Sequence, residues 1–188
     1  PNLPSRSALV VVLHGCTQDA RGYDLGAGWS TLAKRYGFAL LMPQQQEVNN
    51  ANACFNWFNP EDAARDRGEA ASIRRMIDKM IHDHRISRRR IFVTGLSAGG
   101  AMTSVMLATY PEVFSAGAVI AGLPFGIAGN MREALGGMMN SSPRSARELG
   151  DRHLLGRVQR RHELAGPGRR RRAADMVQMP VEHHPVIP

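Results

Sequence analysis

The sequence predicts a parallel α/β sheet with helices on both faces, the α/β class in its doubly covered form. Two observations carry that expectation. Short apolar runs alternate with amphipathic or small-residue stretches, the strand-helix-strand order that right-handed crossovers turn into a parallel sheet. The runs are also continuously apolar rather than alternating, the pattern of strands buried on both faces. With 188 residues, 43% of them hydrophobic, the chain is long enough to bury the core of one domain.

The elements follow in order. Ser7 to Leu13 is a core strand that delivers His14-Gly15-Cys16 to its carboxyl end. Thr17 to Gly28 is polar and glycine-bearing and reads as a loop, and Trp29 to Tyr36 reads as a short helix closed by Gly37. Phe38 to Met42 is a second strand stopped by Pro43, and Gln44 to Asn52 is a polar surface loop near the site. Cys54-Phe55-Asn56-Trp57-Phe58 concentrates three aromatics in five residues, as a pocket wall or a purposeful surface would. From about Gly68 to His84, Ile73, Met76, Ile77, Met80, Ile81 and His84 recur at helical spacing and give one apolar stripe to lay on the sheet. Arg88, Arg89 and Arg90 form a solvated turn before the strand Arg90 to Thr94. A Gly/Ala-rich helix runs from Ala98 to Tyr110 and stops at Pro111, and Phe114 to Ala121 is a last apolar strand.

Between the third strand and its helix lies Gly95-Leu96-Ser97-Ala98-Gly99. A G-x-S-x-G in this setting is the sequence form of a nucleophile elbow, with the serine on a strained turn at the carboxyl end of the sheet and glycines letting strand, turn and helix pack closely. Ser97 is therefore the candidate nucleophile. Ala98 opens the helix, so its backbone N–H and the helix dipole favour negative charge beside Ser97. His14 reads as a structural partner in its loop, because in this type of fold the base follows the nucleophile.

The formal charge of +8 raises the possibility of a nucleic-acid partner, and its distribution argues against one. Residues 1–140 carry 14 basic and 11 acidic side chains, whereas 141–188 carry 10 arginines and 5 acids. The chain divides on this basis into a core over 1–140 and an Arg-rich tail over 141–188 that reads as disordered or aberrant. It contains no apolar run of about 18 residues, so no membrane partner is expected. The sequence begins at Pro1 without a signal-type segment, the mark of a trimmed amino end from which an export signal can have been lost.

His14-Gly15-Cys16-Thr17-Gln18, Cys54 to Phe58, Gly68-Glu69 and Gly95 to Met102, in this order and spacing, resemble the poly(3-hydroxybutyrate) depolymerase-type esterases, which include feruloyl and acetylxylan esterase relatives. The resemblance covers residues 7 to 140 and implies an α/β-hydrolase sheet that is incomplete at both ends. It implies hydrolysis of short hydroxyalkanoate or aryl esters through an acyl-enzyme at Ser97, with no cofactor and no metal. It also implies that the N–H groups of Cys16 and Ala98 form an oxyanion hole, that Cys16 and Cys54 form a disulfide beside the site, and that Trp57 contacts substrate. Read from the residues alone, a free buried thiol is the lesser alternative for Cys16, and a core aromatic is a nearly equal one for Trp57. The disulfide would favour an extracellular chain; a cytoplasmic one is the alternative.

The acid and base that follow the nucleophile in such folds have no clear counterpart. Asp151, His153, His162, Asp175, His183 and His184 all lie in the tail, and His183 and His184, stiffened by Pro180 and Pro185, are the best remaining bases. The tail is expected not to supply a working triad, because it offers no strand on which to hold an imidazole. An out-of-frame or truncated end would account for its shift to Arg with no Lys and no aromatics. The competing functions are a serine peptidase built on the same elbow, a catalytically weak fragment, and a basic binding module that contacts phosphates and is released by salt. An ester or polyester substrate is the expected partner, and oligomeric state is not specified.

Overall fold

The computed structural model describes residues 6–139 together with 145, 147 and 148. The expected tail over 141–188, with Asp151, His183 and His184, otherwise lies outside the described residues.

The four apolar runs form one parallel sheet. Strands β1 (Leu9–Leu13), β2 (Ala39–Leu41), β3 (Ile91–Leu96) and β4 (Ala116–Ile120) are ordered β2-β1-β3-β4, so β1 and β3 are the inner pair. Their register runs from Leu9 opposite Ile91 to Leu13 opposite Gly95. The third strand is longer than the apolar run that announces it. Gly95 has low strand propensity, but it and Leu96 pair with Val119 and Ile120 of β4, and that pairing carries the strand to the residue before Ser97.

Helices α1 (Ala20–Ala27) and α2 (Trp29–Tyr36) connect β1 to β2; α3 (Gly68–His84) and α4 (Ala98–Thr109) make the next two crossovers; α5 (Met131–Met139) follows β4. The step from β1 to β2 runs opposite to the later steps across the sheet. Right-handed crossovers therefore put α1 and α2 on one face and α3 and α4 on the other. The helix α1 corrects the expected loop over Thr17 to Gly28. Asp19 caps it, its carboxylate accepting the Gly22 N–H, and Gly28 ends it at φ 73°. The cap outweighs the helix-weakening glycines, while only Ala20 and Tyr23 are buried, too few to make an apolar stripe legible.

The stripe predicted on α3 is buried as expected at Ile73, Met76, Ile77, Met80 and Ile81, each worth about 1.5–3 kcal/mol of gross transfer energy. His84 is exposed and not part of it. Helix α4 is buried on nearly every side, and its Thr103 and Thr109 satisfy their hydroxyls on the carbonyls of Gly99 and Val105. Arg65 closes its carboxyl end by donating to the Thr109 carbonyl (2.7 Å) and pairing with Glu112 (2.6 Å). Strand β4 differs from its neighbours, since all five of its residues are exposed. Among the described residues no helix is long and apolar enough to cross a membrane.

Candidate active site

Ser97 stands between β3 and α4 at φ 55° and ψ −116°, a conformation that costs a non-glycine residue of order 1–3 kcal/mol and persists only where the surroundings enforce it. The surroundings are backbone. The Ser97 N–H donates to the Ile120 carbonyl (2.9 Å) and its carbonyl accepts the Ala101 N–H (2.9 Å). A Cβ on Gly95 would collide with the Gly99 carbonyl group, and a Cβ on Gly99 would collide with the carbonyls of Leu13 and His14. The first turn of α4 thus lies directly against the end of β1. The serine is left half-buried, its side chain carried at the carboxyl edge of the sheet.

The end of β1 brings His14-Gly15-Cys16 to the same edge. A Cβ on Gly15 would sit 3.5 Å from the Leu96 carbonyl oxygen, which places this loop beside the elbow. Cys16 is disulfide-bonded to Cys54, with a Cα–Cα distance of 4.2 Å, and the Thr17 N–H donates to the Asn52 carbonyl (2.7 Å). Among the described residues no acceptor is found for the N–H of Cys16 or of Ala98, the state a developing oxyanion requires of its donors.

His14 is fully buried and both ring nitrogens are engaged. Nε2 accepts the Gln45 N–H (3.1 Å), so the proton is on Nδ1, which donates to the Gly15 carbonyl (2.8 Å). Burial holds its pKa below the ordinary value and keeps the ring neutral. It is a structural strut in this arrangement. His82 and His84 lie at the carboxyl end of α3, which leads to the amino edge of the sheet, away from Ser97. Among the described residues no imidazole bonds the Ser97 hydroxyl, and His183 and His184 lie outside them.

The polar stretch after β2 is exposed at Glu47, Val48, Asn49, Ala51 and Asn52, as a surface loop would be, but it turns inward at Gln45. Gln45 is 2% exposed, and its side chain joins Glu69, which is also buried. Glu69 Oε1 accepts Gln45 Nε2 (2.5 Å) and Asn56 Nδ2 (2.8 Å), and Oε2 accepts the Asn56 N–H (2.8 Å). Burial pushes the carboxyl up to about 7, against the pull of these donors and with nearby Asp62 adding to the rise. Sequence reasoning assigned no role to Gln45, Asn56 or Glu69; the signal was the run of side-chain amides before an acid that opens an amphipathic helix.

Trp57 is placed in the core, 4% exposed and edge-on to Phe58 at 5.7 Å. Its accessible edge lines a cavity of about 380 Å³ shared with Phe58, Arg65, Ala108 and Phe125. Ala108 is about 15 Å along α4 from Ala98, so this cavity faces the far end of the helix from Ser97. Phe55 is fully buried against the His14 ring, with centroids 5.0 Å apart. The structure sets the loop that carries Cys16 beside the elbow of Ser97 and Ala98 and bonds it to Cys54; it packs Trp57 into the core.

Residues 3–152 match the family model for Esterase PHB depolymerase. The chain belongs to this family. Within the PHB depolymerase esterases, it is 52% identical over 132 residues to poly(3-hydroxyalkanoate) depolymerase C of Paucimonas lemoignei, covering 70% of this chain and 32% of that protein. It is 36% identical over 126 residues to acetylxylan esterase A of Emericella nidulans, covering 66% and 40%. The acetyl xylan esterase structure from Aspergillus awamori superposes with a TM-score of 0.62 at 31% identity, covering 70% of this chain and 47% of that one. The sheet is accordingly a fragment of the α/β-hydrolase fold, and the chain spans less than half the length of these relatives.

Proposed function

We propose that the chain is the nucleophile-bearing part of a serine carboxylic-ester hydrolase acting on short hydroxyalkanoate esters of the polyhydroxybutyrate type. One observation carries this reading: Ser97 is held at φ 55° at the amino end of α4, beside two backbone N–H groups with no acceptor among the described residues. In the reaction Ser97 Oγ attacks the ester carbonyl and gives its proton to a base. The tetrahedral oxyanion is held by the N–H groups of Cys16 and Ala98, loss of one such donor costing roughly a hundredfold or more. Collapse releases the alcohol and leaves an acyl-enzyme that water hydrolyses. The higher identity to a protein named poly(3-hydroxyalkanoate) depolymerase supports hydroxyalkanoate over aryl or feruloyl esters. The disulfide supports an extracellular site of action, since such bonds persist in oxidising compartments. Trp57 enters as the residue that seats the disulfide-bearing loop, and of the histidines outside the described residues His183 and His184 are the candidate bases.

The test is labelling with a fluorophosphonate. Ser97 is expected to be the only residue modified, and labelling that persists in Ser97→Ala rules the assignment out.

A further inference from the structure

Resting on the reading of Cys16 as an oxyanion donor, we propose that Glu69 is a positioning residue: its buried carboxylate ties the loop after β2 to the end of β1 and so aims the Cys16 N–H at Ser97.

The connection can be followed bond by bond. Glu69 is the second residue of α3, and its own N–H donates to Asp62 (3.2 Å), which sets the start of the helix. Its carboxylate takes three donors, two from Asn56 and one from Gln45. Gln45 Nε2 also donates to the Cys54 carbonyl (3.0 Å), and Gln45 Oε1 accepts the Gln46 N–H (2.9 Å) and Asn49 Nδ2 (3.1 Å), so the amide is saturated and its orientation fixed. The Gln45 backbone N–H then donates to His14 Nε2, and His14 Nδ1 grips the Gly15 carbonyl, the peptide unit whose nitrogen belongs to Cys16. The same carboxylate therefore reaches Cys16 by two routes, through His14 on one side and through Cys54 and the disulfide on the other.

The chemistry of the cluster requires an acid here. Three N–H donors converge on one group with no acceptor among them, an arrangement that a carboxylate satisfies and a side-chain amide, with its own NH₂, satisfies only in part. Burying such a group is costly unless it is fully bonded, which makes the cluster rigid as long as Glu69 is present. The charged or titratable groups facing the carboxylate are Asp62 from the loop before α3 and His14, through Gln45, from the end of β1.

The experiment uses the full chain, with Glu69→Gln and Glu69→Ala. The rate of Ser97 modification by a fluorophosphonate is measured per folded molecule, with thermal stability recorded alongside. Glu69→Ala is expected to slow modification by about ten- to a hundredfold while Ser97 still labels to completion, less than outright loss of an oxyanion donor because the Cys16 N–H is misaimed and not removed. Glu69→Gln, which keeps one acceptor, should fall between it and wild type. Unchanged rates in folded variants, whatever their stability, overturn the proposal. Should the wild type itself fail to label, the reading of Ser97 fails, and NMR of the wild type then decides the role of Glu69. The same measurement decides if the variants do not fold. The Cys16 amide resonance is expected to shift with the midpoint of the Glu69 carboxyl carbon as pH is varied, and to be separable from the His14 ring signals. A Cys16 amide that stays put while Glu69 titrates overturns the proposal.

Discussion

The two backbone segments that meet at the candidate oxyanion hole are held in different ways. At the elbow, Ser97 is confined by sterics among near neighbours: Gly95 and Gly99 admit no Cβ, and the chain from β3 into α4 has one path. The His14-Gly15-Cys16 loop has no comparable steric restraint of its own. It is held by a disulfide to a residue 38 positions away and by a polar chain that passes through Gln45 to Glu69. Local sterics make the elbow robust to conditions, whereas a lobe held by a redox-sensitive bond and a titratable acid responds to its surroundings.

The steric side is broken most severely by Gly99→Ala. The added Cβ meets main-chain carbonyls of β1, which have no rotamer in which to retreat, so a loss beyond about 4 kcal/mol or failure to fold is expected. Denaturant titration measures it, and a variant with an unchanged midpoint would show that the α4–β1 contact is looser than described.

Removing the disulfide tests the other side. Replacing Cys16 and Cys54 by Ser should lower stability by up to about 4 kcal/mol on the chain-entropy model for a loop of this length, and leave β1 and β3 folded. In the native protein, alkylation without reductant should add no mass; two adducts on folded chain would mean that the bond is absent.

The smallest effect belongs to Glu69 and pH. Its folded pKa of about 7 lies above the ordinary 4.5, so between those values the folded chain holds a proton that the unfolded chain has lost. Stability contributed by this group therefore rises as pH falls through 7 and levels off below about 4.5, by at most about 3 kcal/mol. His14 acts in the opposite sense, because its folded pKa is depressed and unfolding takes up a proton below 6.5. The difference between wild type and Glu69→Gln isolates the acid: wild type should gain relative stability from pH 8 to pH 5. A flat difference would show that the carboxyl is not raised.

Local chemistry accounts for what was legible in the sequence. The strands of the inner sheet, the apolar stripe of α3 and the elbow at Ser97 depend on period, β-branching and glycine placement within a few residues, and the chain states these directly. Residues that face one another only after folding carry no such mark. Gln45 lies 24 residues before Glu69 and 31 after His14, so one amide of a stretch that reads as surface is buried beside the site while Glu47, Val48 and Asn49 stay exposed. Trp57 went into the core for the same reason, its density of aromatic neighbours fixing its packing but not its side of the wall. Strand β4 has the composition of a buried strand and is exposed, since burial depends on what lies against a strand and not on the strand itself. The sequence by itself determined the strained turn at Ser97 and the sheet that carries it, through short-range sterics. Only the tertiary structure decided which polar groups hold the His14-Gly15-Cys16 loop beside it, because long-range pairing selects partners that no local pattern names.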